Sequence, residues 1–337
     1  MAETGVAFSF AGIRIHWYGI IIACALVIGV ILAVRDAKRR GYRSDMILDF
    51  LLIAIPICII CARLYYVAFE WDNYSDNLLR IFAVWEGGLA IYGAVIGGAI
   101  AAFIFHKWRR VPVGDILDIG APSIVLGQAI GRWGNFINQE AFGNLITDPS
   151  MQWFPYGVYI ERAGAWYQAT FFYESMWDLL TFVILMLLRK KIKARGGLFA
   201  LYVAIYGFGR FFVESLRSDS LMAGGFRVSQ VLSAVLVVCG IIYLTVTSRS
   251  KKEYPAYEGI YSLSRSAEQI ETDKKNAKLI RAREAAAEAE KKFEEAVETY
   301  GPASGMAKKA KEKAEEARKK AQVLERQSKD NEKPKEE

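Results

Sequence analysis

The stretch GRWGNFINQE, residues 131–140, places an arginine, two asparagines and a glutamate at the end of a long apolar run. The guanidinium group of Arg132 is planar and always charged, and its fork of N–H groups matches two oxygens of a phosphate. Asn135, Asn138 and Glu140 supply amide and carboxylate groups that can orient such an arginine or its ligand. The types and spacing of these residues predict one wall of a phosphate-binding site.

Further polar residues interrupt the other apolar segments. A charge inside a membrane costs several kcal/mol unless it is paired or hydrated, so such residues face the protein interior or a cavity. Several of them at one depth predict a polar pocket with cationic groups. A structural alternative stays open, because Arg210 and Glu214 lie four residues apart and can neutralise each other. The residues assigned to this pocket are Tyr18, Arg63, Tyr92, Glu174, Asp178, Arg210, Glu214 and Arg217.

The elements that must position these residues are seven long, predominantly apolar segments. A helix rises about 1.5 Å per residue, so roughly 20 residues cross a hydrocarbon core of about 30 Å. The predicted fold is therefore an all-α integral membrane protein with about seven transmembrane helices. Asp118, inside the fourth segment, is predicted to be a structural hydrogen-bond partner. The segments are residues 17–34, 47–69, 88–105, 113–130, 170–188, 198–213 and 228–247.

Loop charges orient these helices, because cytoplasmic loops carry an excess of Lys and Arg. The loops after the first, third, fifth and seventh segments are basic (35–43, 106–110, 189–195 and 248–252), whereas residues 70–77 are acidic and the remaining loops are mixed. This alternation predicts an outer N-terminus and a cytoplasmic C-terminus. It places GRWGNFINQE at the outer end of the fourth helix, where it opens a loop, and the polar pocket in the outer half of the membrane.

Residues 251–337 differ in composition from residues 1–250, and we predict that they form a separate domain. They are rich in Ala, Lys and Glu, with nearly equal numbers of basic and acidic residues. Helical propensity is interrupted at YGPASG (300–305), where Gly and Pro stop a helix. The expected structure is a solvated, charged and partly helical cytoplasmic tail. The balanced charge does not favour nucleic-acid binding, and no partner for the tail is indicated.

The segment GRWGNFINQEAFG (131–143) resembles the signature of the prolipoprotein diacylglyceryl transferases. The matching positions include Arg132, Asn135, Asn138, Glu140 and Gly143. Supporting matches follow in family order over roughly residues 10–247: HWYG (16–19), the Arg63 segment, EGGLAIYGAVIGG (86–98), FFYE (171–174), YGFGRFFVESLR (206–217) and RVSQ (227–230). The order of these matches supports the resemblance along the whole apolar part of the chain.

The resemblance implies an enzyme of the bacterial cell membrane whose active site faces the extracytoplasmic side. Such an enzyme moves the diacylglyceryl group of phosphatidylglycerol onto the lipobox cysteine of a preprolipoprotein, and releases glycerol 1-phosphate. No metal or organic cofactor is implied. Arg132 and Arg210 are expected to hold the phosphate, with Glu140, Tyr18 and Tyr92 as further catalytic candidates. The expected substrate-binding residues are Arg132, Asn135, Asn138, Gly143, Arg63, Glu174, Glu214, Arg217 and Gln230.

The chain departs from the family pattern in its histidines. Many family members have a histidine at the position of Tyr92, and another just before the FFYE-like segment. The histidines of this chain are His16 and His106, and His106 is predicted to lie on the cytoplasmic side. The group that accepts the thiol proton is therefore unassigned by the sequence.

Two other function classes remain open at this point. Seven helices with buried charges and glycine-rich segments also fit a transporter or channel, although its polar residues would be spread through the whole membrane depth. A membrane scaffold whose tail binds a partner is the third possibility.

Overall fold

The computed structural model describes residues 6–10, 13–217, 222–223, 226–249, 254–264 and 267–330. It contains seven helices that are long and apolar enough to cross a membrane, and each lies at a predicted segment. The predicted count of membrane-spanning helices is thus confirmed. The helices are α1 (Trp17–Arg39), α2 (Asp45–Phe69), α3 (Ile91–Arg109), α4 (Val113–Asn138), α5 (Thr170–Leu188), α6 (Gly197–Leu216) and α7 (Val228–Arg249).

Helix α4 occupies the centre of the bundle and contacts α1, α5 and α6, while α2 pairs with α3 and α6 with α7. Small residues permit these close approaches. A Cβ atom at Gly97 of α3 would lie 2.8 Å from the Cα atom of Cys58 in α2, so only glycine fits there. Large apolar side chains such as Leu52 point away from the bundle with 74% exposure, as expected of a face that meets lipid.

The predicted end of the fourth segment at residue 130 was wrong. Helix α4 continues to Asn138 and ends where Gln139 adopts a left-handed conformation, with a φ angle of 51°. The polar side chains of GRWGNFIN do not break the helix, because they find partners on α5 and in the following loop. Arg132, Asn135 and Asn138 therefore project from the last turns of a helix, and the loop starts only at Gln139.

The all-helical prediction also missed three short antiparallel hairpins among the described residues, because strands of two to five residues carry little periodic signal. One hairpin precedes α1, one lies in the long loop between α4 and α5, and one precedes α7. They pair β1 (Val6–Phe10) with β2 (Ile13–His16), β3 (Gly157–Ile160) with β4 (Ala165–Gln168), and β5 (Met222–Ala223) with β6 (Phe226–Arg227).

The described residues fall into two compact units that divide between Ser262 and Leu263. Residues 254–262 belong to the first unit with the seven helices. The second unit contains α8 (Ala267–Tyr300) and α9 (Gly305–Asp330), which pack against each other and are separated at the predicted break, YGPASG. Arg283 of α8 and Glu325 of α9 form an ion pair of 2.8 Å, and Ala307 is fully buried.

Candidate active site

Three helices bring two arginines and two glutamates into one ion-paired group, which we call the arginine cluster: Arg132, Glu174, Arg210 and Glu214. Glu174 of α5 is the shared centre. Its Oε1 accepts a hydrogen bond from Nη2 of Arg132 in α4, and its Oε2 accepts one of 2.7 Å from Nη1 of Arg210 in α6. Nη2 of Arg210 lies 2.6 Å from Oε2 of Glu214. Arg132 and Arg210, which are 78 residues apart in sequence, thus bond to the same carboxylate.

Hydrogen bonds between α4 and α5 fix the position of this cluster. Trp133 follows Arg132 in sequence, and its Nε1 donates to Oγ of Ser175, the neighbour of Glu174, at 3.2 Å. The Ser175 hydroxyl in turn donates to the carbonyl of Ala129 at 2.8 Å. The residues adjacent to the ion pair therefore lock the two helices in register, which sets the distance between Arg132 and Glu174.

Burial differs between the two signs of charge in the cluster. Glu174 is 3% exposed and Glu214 is 1% exposed, whereas the side chains of Arg132 and Arg210 keep 20% and 14% of their surface accessible. Within the described part of the chain, Glu174 is the partner of Arg132, which leaves Nε and Nη1 of that guanidinium for a ligand. The arrangement presents cationic forks outward and holds their counter-charges behind them.

Asp178 lies one helical turn after Glu174 on α5 and is fully buried. Neither of its carboxylate oxygens has a hydrogen-bond partner among the described residues. A buried carboxylate without partners is strongly disfavoured in its charged form. Asp178 therefore adds an unsatisfied acid directly beside the arginine cluster.

Glu140 does not pair with Arg132 in the described contacts; Glu174 takes that place. Oε1 of Glu140 accepts hydrogen bonds from the amides of Asn135 at 3.0 Å and Asn138 at 3.3 Å. Arg162, from the hairpin between α4 and α5, donates to the carbonyls of Asn138 and Gln139 at 3.0 and 2.8 Å. These contacts cap the end of α4 and hold the two asparagines and Glu140 as one polar group.

Tyr18 reaches the same helix end from α1. A Cβ atom at Gly134 would lie 2.5 Å from Cδ2 of Tyr18, so the tyrosine ring covers this glycine. Gly134 is two positions after Arg132 on α4, so Tyr18 packs on a different face of this helix from the arginine. The glycine is needed here for the close approach of a side chain.

Tyr92 and Gln230 connect α7 to its neighbouring helices. The hydroxyl groups of Tyr92 and Ser229 share a hydrogen bond of 3.0 Å between α3 and α7. Nε2 of Gln230 donates to the carbonyl of Phe211 in α6 at 3.3 Å. Neither contact involves an arginine of the cluster.

The described hydrogen bonds of Arg63 are to the loop between α2 and α3 and not to the arginine cluster. All three of its nitrogen atoms donate to backbone carbonyls of this loop, at 2.6 to 3.3 Å. The acceptors are Arg80, Ile81, Ala83, Gly87 and Gly88.

Gly143 and Arg217 face each other across a backbone bridge between the α4–α5 loop and the end of α6. A Cβ atom at Gly143 would lie 2.9 Å from the carbonyl oxygen of Leu216 and 2.8 Å from Cβ of Gln168. The absence of a side chain at Gly143 thus allows the α4–α5 loop to pack against the end of α6.

Sequence reasoning missed several residues that complete the site. Ser175 and Trp133 align α4 with α5, Ser229 is the partner of Tyr92, and Arg227 donates to the carbonyl oxygen of Glu214. Arg227 and Ser229 belong to the RVSQ match, so the signal for them was present. The contacts of Ser175 are between residues distant in sequence, and no local pattern indicates them.

An apolar cavity of about 380 Å³ lies between α1, α2 and α4. Its lining extends from Ile22 and Gly127 to Met46 and Ile116, and is almost entirely hydrocarbon. The terminal methyl group of Ile22 would lie 3.5 Å from a Cβ atom at Gly131, immediately before Arg132. One lining residue, Ile22, thus approaches the last third of α4 at Gly131.

The comparison with protein-family models matches residues 5–246 to the model described as prolipoprotein diacylglyceryl transferase. Among curated proteins, relatives named phosphatidylglycerol--prolipoprotein diacylglyceryl transferase are similar to the chain. The Pediococcus pentosaceus protein is 48% identical over 254 residues, which cover 74% of this chain and 91% of the relative. The Limosilactobacillus reuteri protein (strain DSM 20016) is 46% identical over 260 residues, or 75% of this chain and 93% of the relative. The Streptococcus suis protein is 47% identical over 259 residues, or 75% and 95%.

Proposed function

We propose, from the premise that the chain belongs to the prolipoprotein diacylglyceryl transferase family, that it transfers the diacylglyceryl group of phosphatidylglycerol to the cysteine thiol of a preprolipoprotein. The reaction forms a thioether and releases glycerol 1-phosphate. The chain is a multi-pass membrane enzyme of lipoprotein maturation. Its relatives are named as transferases, which favours this function over a transporter or a scaffold.

The observation that carries the proposal is the convergence of Arg132 and Arg210 on Glu174. The chemical step displaces a phosphate oxygen from a glycerol carbon, so negative charge grows on the phosphate as the bond breaks. Two guanidinium groups held in place beforehand stabilise that charge more than they stabilise the bound ground state. We assign Arg132 and Arg210 to this role, because their partly accessible forks adjoin the polar end of α4.

The cavity between α1, α2 and α4 supports a lipid as the donor. Its volume of about 380 Å³ and hydrocarbon lining suit an acyl chain rather than a peptide with charged groups. Ile22 of its lining also approaches Gly131, the residue before Arg132. We assign this cavity to one acyl chain of phosphatidylglycerol.

The basic loops support an orientation with the arginine cluster at the extracytoplasmic side of the bacterial cell membrane. Arg39, Arg109 and Arg195 all lie at the end of the bundle opposite Arg132, together with the other Lys and Arg of the loops after α1, α3 and α5. The positive-inside rule assigns that end to the cytoplasm. In this orientation the second unit, which follows α7, is cytoplasmic and the lipobox cysteine meets the lipid in the outer leaflet.

Incubation of the purified full chain with labelled phosphatidylglycerol vesicles and a lipobox peptide tests the function. We expect the label to appear on the peptide cysteine, with glycerol 1-phosphate released in equal amount. A peptide with serine in place of that cysteine is the control and should stay unlabelled. Absence of thiol-linked label with a folded protein would contradict the proposal.

A further inference from the structure

The arginine cluster contains two positive and two negative side chains, and Glu174 is the carboxylate that joins the two arginines. Two guanidinium groups face two carboxylates, and Glu174 alone bonds to both arginines. The charged or titratable groups that face Glu174 come from three helices. They are Arg132 from α4, Tyr206, Arg210 and Glu214 from α6, and Asp178 from α5 itself.

A phosphate that binds both arginines competes with Glu174 for the positive charge of the same two guanidinium groups. Both Nη atoms of Arg210 already serve carboxylates, at 2.7 and 2.6 Å. A phosphate that approaches Arg210 therefore shares the charge of this group with two carboxylates and weakens their contacts. Arg132 bonds to Glu174 through Nη2, so a phosphate bound at its remaining N–H groups shares the same guanidinium charge with Glu174.

A Glu174 carboxylate that loses its two arginines stays in a buried site. It is 3% exposed, and Asp178 lies one turn away with no hydrogen-bond partner among the described residues. Burial without partners disfavours the charged form of a carboxylate. A Glu174 oxygen that an arginine releases thus has no other hydrogen-bond partner among the described residues and can accept one from a substrate group.

On the basis of the function above, we propose that Glu174 accepts the proton of the substrate thiol, and that binding of the lipid phosphate to Arg132 and Arg210 makes it available to do so. Asp178 is a positioning residue that acts through Glu174. In the step, the S–H bond breaks and its proton passes to an Oε atom of Glu174. The sulfur forms a bond to the glycerol carbon, and the C–O bond to phosphate breaks with its electron pair on the phosphate oxygen. The proton then leaves with glycerol 1-phosphate or to water, and Glu174 returns to the arginines.

This assignment fits the places of the other candidates. Glu140 is exposed and is held by the amides of Asn135 and Asn138. The described hydrogen bond of Tyr92 is to Ser229. Glu174 is the carboxylate that contacts both of the arginines assigned to the phosphate, so phosphate binding to them changes its contacts directly.

The test is the pH dependence of peptide lipidation by the full chain in phosphatidylglycerol vesicles, for the wild type and for Glu174→Gln. At pH 7 the variant should be about 10²-fold slower or more, the range for loss of general base catalysis. Its rate should then rise about tenfold per pH unit up to the thiol pKa near 8.5, because thiolate from solution replaces the missing base. The wild type should level off at a lower pH.

Glu214→Gln is the matched control, since it removes a carboxylate from Arg210 but leaves Glu174 in place. It should be slower than the wild type while its pH profile keeps the same shape. Parallel profiles for Glu174→Gln and Glu214→Gln would overturn the proposal, because both carboxylates would then only position Arg210. Wild-type lipidation in the same assay establishes the function separately, so failure of the function and failure of this inference give different results.

Asp178→Asn provides a second measurement that does not depend on the folding of Glu174→Gln. If Asp178 acts through Glu174, its replacement should move the acidic limb of the pH profile. A purely structural Asp178 would change the rate without moving that limb, and this result would contradict its positioning role.

Discussion

Carboxylates that pair with arginines lie at both ends of α4, but the groups that donate hydrogen bonds to these carboxylates differ between the two ends. Asp118 and Arg132 are 14 residues apart on this helix, or about 21 Å. At the first end, Oδ1 and Oδ2 of Asp118 accept the backbone N–H groups of Phe199 and Gly196, each at 2.9 Å. At the second end, the carboxylate of Glu174 bonds to arginine side chains. A carboxylate satisfied by backbone is fixed in place, whereas arginine side chains can transfer to a ligand.

Further contacts at the Asp118 end show the same pattern of anchoring. Nη2 of Arg40 lies 3.3 Å from Asp118, and Nε of Arg195 lies 3.0 Å from Asp115. Tyr42 donates to Asp115 at 2.7 Å, and burial together with this contact raises the pKa of the Tyr42 hydroxyl, which stays a neutral donor. These bonds connect the loops after α1 and α5 to the start of α4.

The largest expected effect would come from breaking the Arg132 end. Arg132→Ala and Arg210→Ala should each lower the lipidation rate about 10³-fold, because each removes a charged donor that acts on the developing phosphate charge. The double variant should be little worse than either single variant, since the two arginines act as a unit. Rates with saturating peptide and lipid measure this.

Arg162→Ala is a control for that experiment, because Arg162 lies near the same helix end but donates to backbone carbonyls outside the cluster. Its rate should stay within about fivefold of the wild type, by analogy with exposed contacts that contribute little. Comparable losses for Arg162→Ala and Arg132→Ala would mean that the helix end, and not the phosphate contact, limits the rate.

The other end of α4 should respond in stability instead of chemistry. Asp118→Asn removes the charge that pairs with Arg40 and puts an amide group against the backbone donors of α6. Breaking a buried pair of this kind costs about 3–5 kcal/mol, so the melting temperature should fall markedly. The rate per folded molecule should change less than threefold. A normal melting temperature with a large loss of rate would contradict the assignment of Asp118 to stability.

The features of the two ends of α4 that could be predicted from the sequence are those that depend on residues close together in the chain. The seven helices follow from apolar segments of sufficient length, and the importance of Arg132 follows from its place in an apolar run. The pairing of Arg132 with Glu174 joins residues 42 positions apart, and no local pattern selects Glu174 over the nearby Glu140. The role of Arg63 could not be predicted either. Its partners are backbone carbonyls of a loop, and no residue type in the sequence indicates such contacts.

A smaller effect is expected at Tyr92, which lies outside the arginine cluster. Tyr92→Phe removes the hydrogen bond to Ser229 and leaves the ring that packs near Tyr65. Loss of one such bond corresponds to about 1 kcal/mol, so the lipidation rate should fall less than tenfold. A loss of 10²-fold or more with one limb missing from the pH profile would identify Tyr92 as a proton carrier.

The smallest effect is expected from the second unit. Deletion of residues 265–337 should leave lipidation in vesicles within about twofold, because the proposed chemistry is assigned to α4, α5 and α6. A deletion from residue 254 is the informative contrast. It also removes Tyr257, which donates to the carbonyl of Arg109 at 2.9 Å, and Tyr261, which donates to Asp49 at 2.6 Å. That longer deletion should lower the melting temperature. Equal behaviour of the two truncations would contradict an anchoring role for residues 254–262.

The central claim is that the Arg132 end performs chemistry while the Asp118 end holds the bundle together. One pair of variants tests it most directly, with lipidation rate and melting temperature measured on both. Arg132→Lys keeps the charge but loses the planar fork, so it should lose most of its rate while its melting temperature changes little. Asp118→Asn should do the opposite. An active and stable Arg132→Lys enzyme, or losses of rate that follow melting temperature in both variants, would contradict the account.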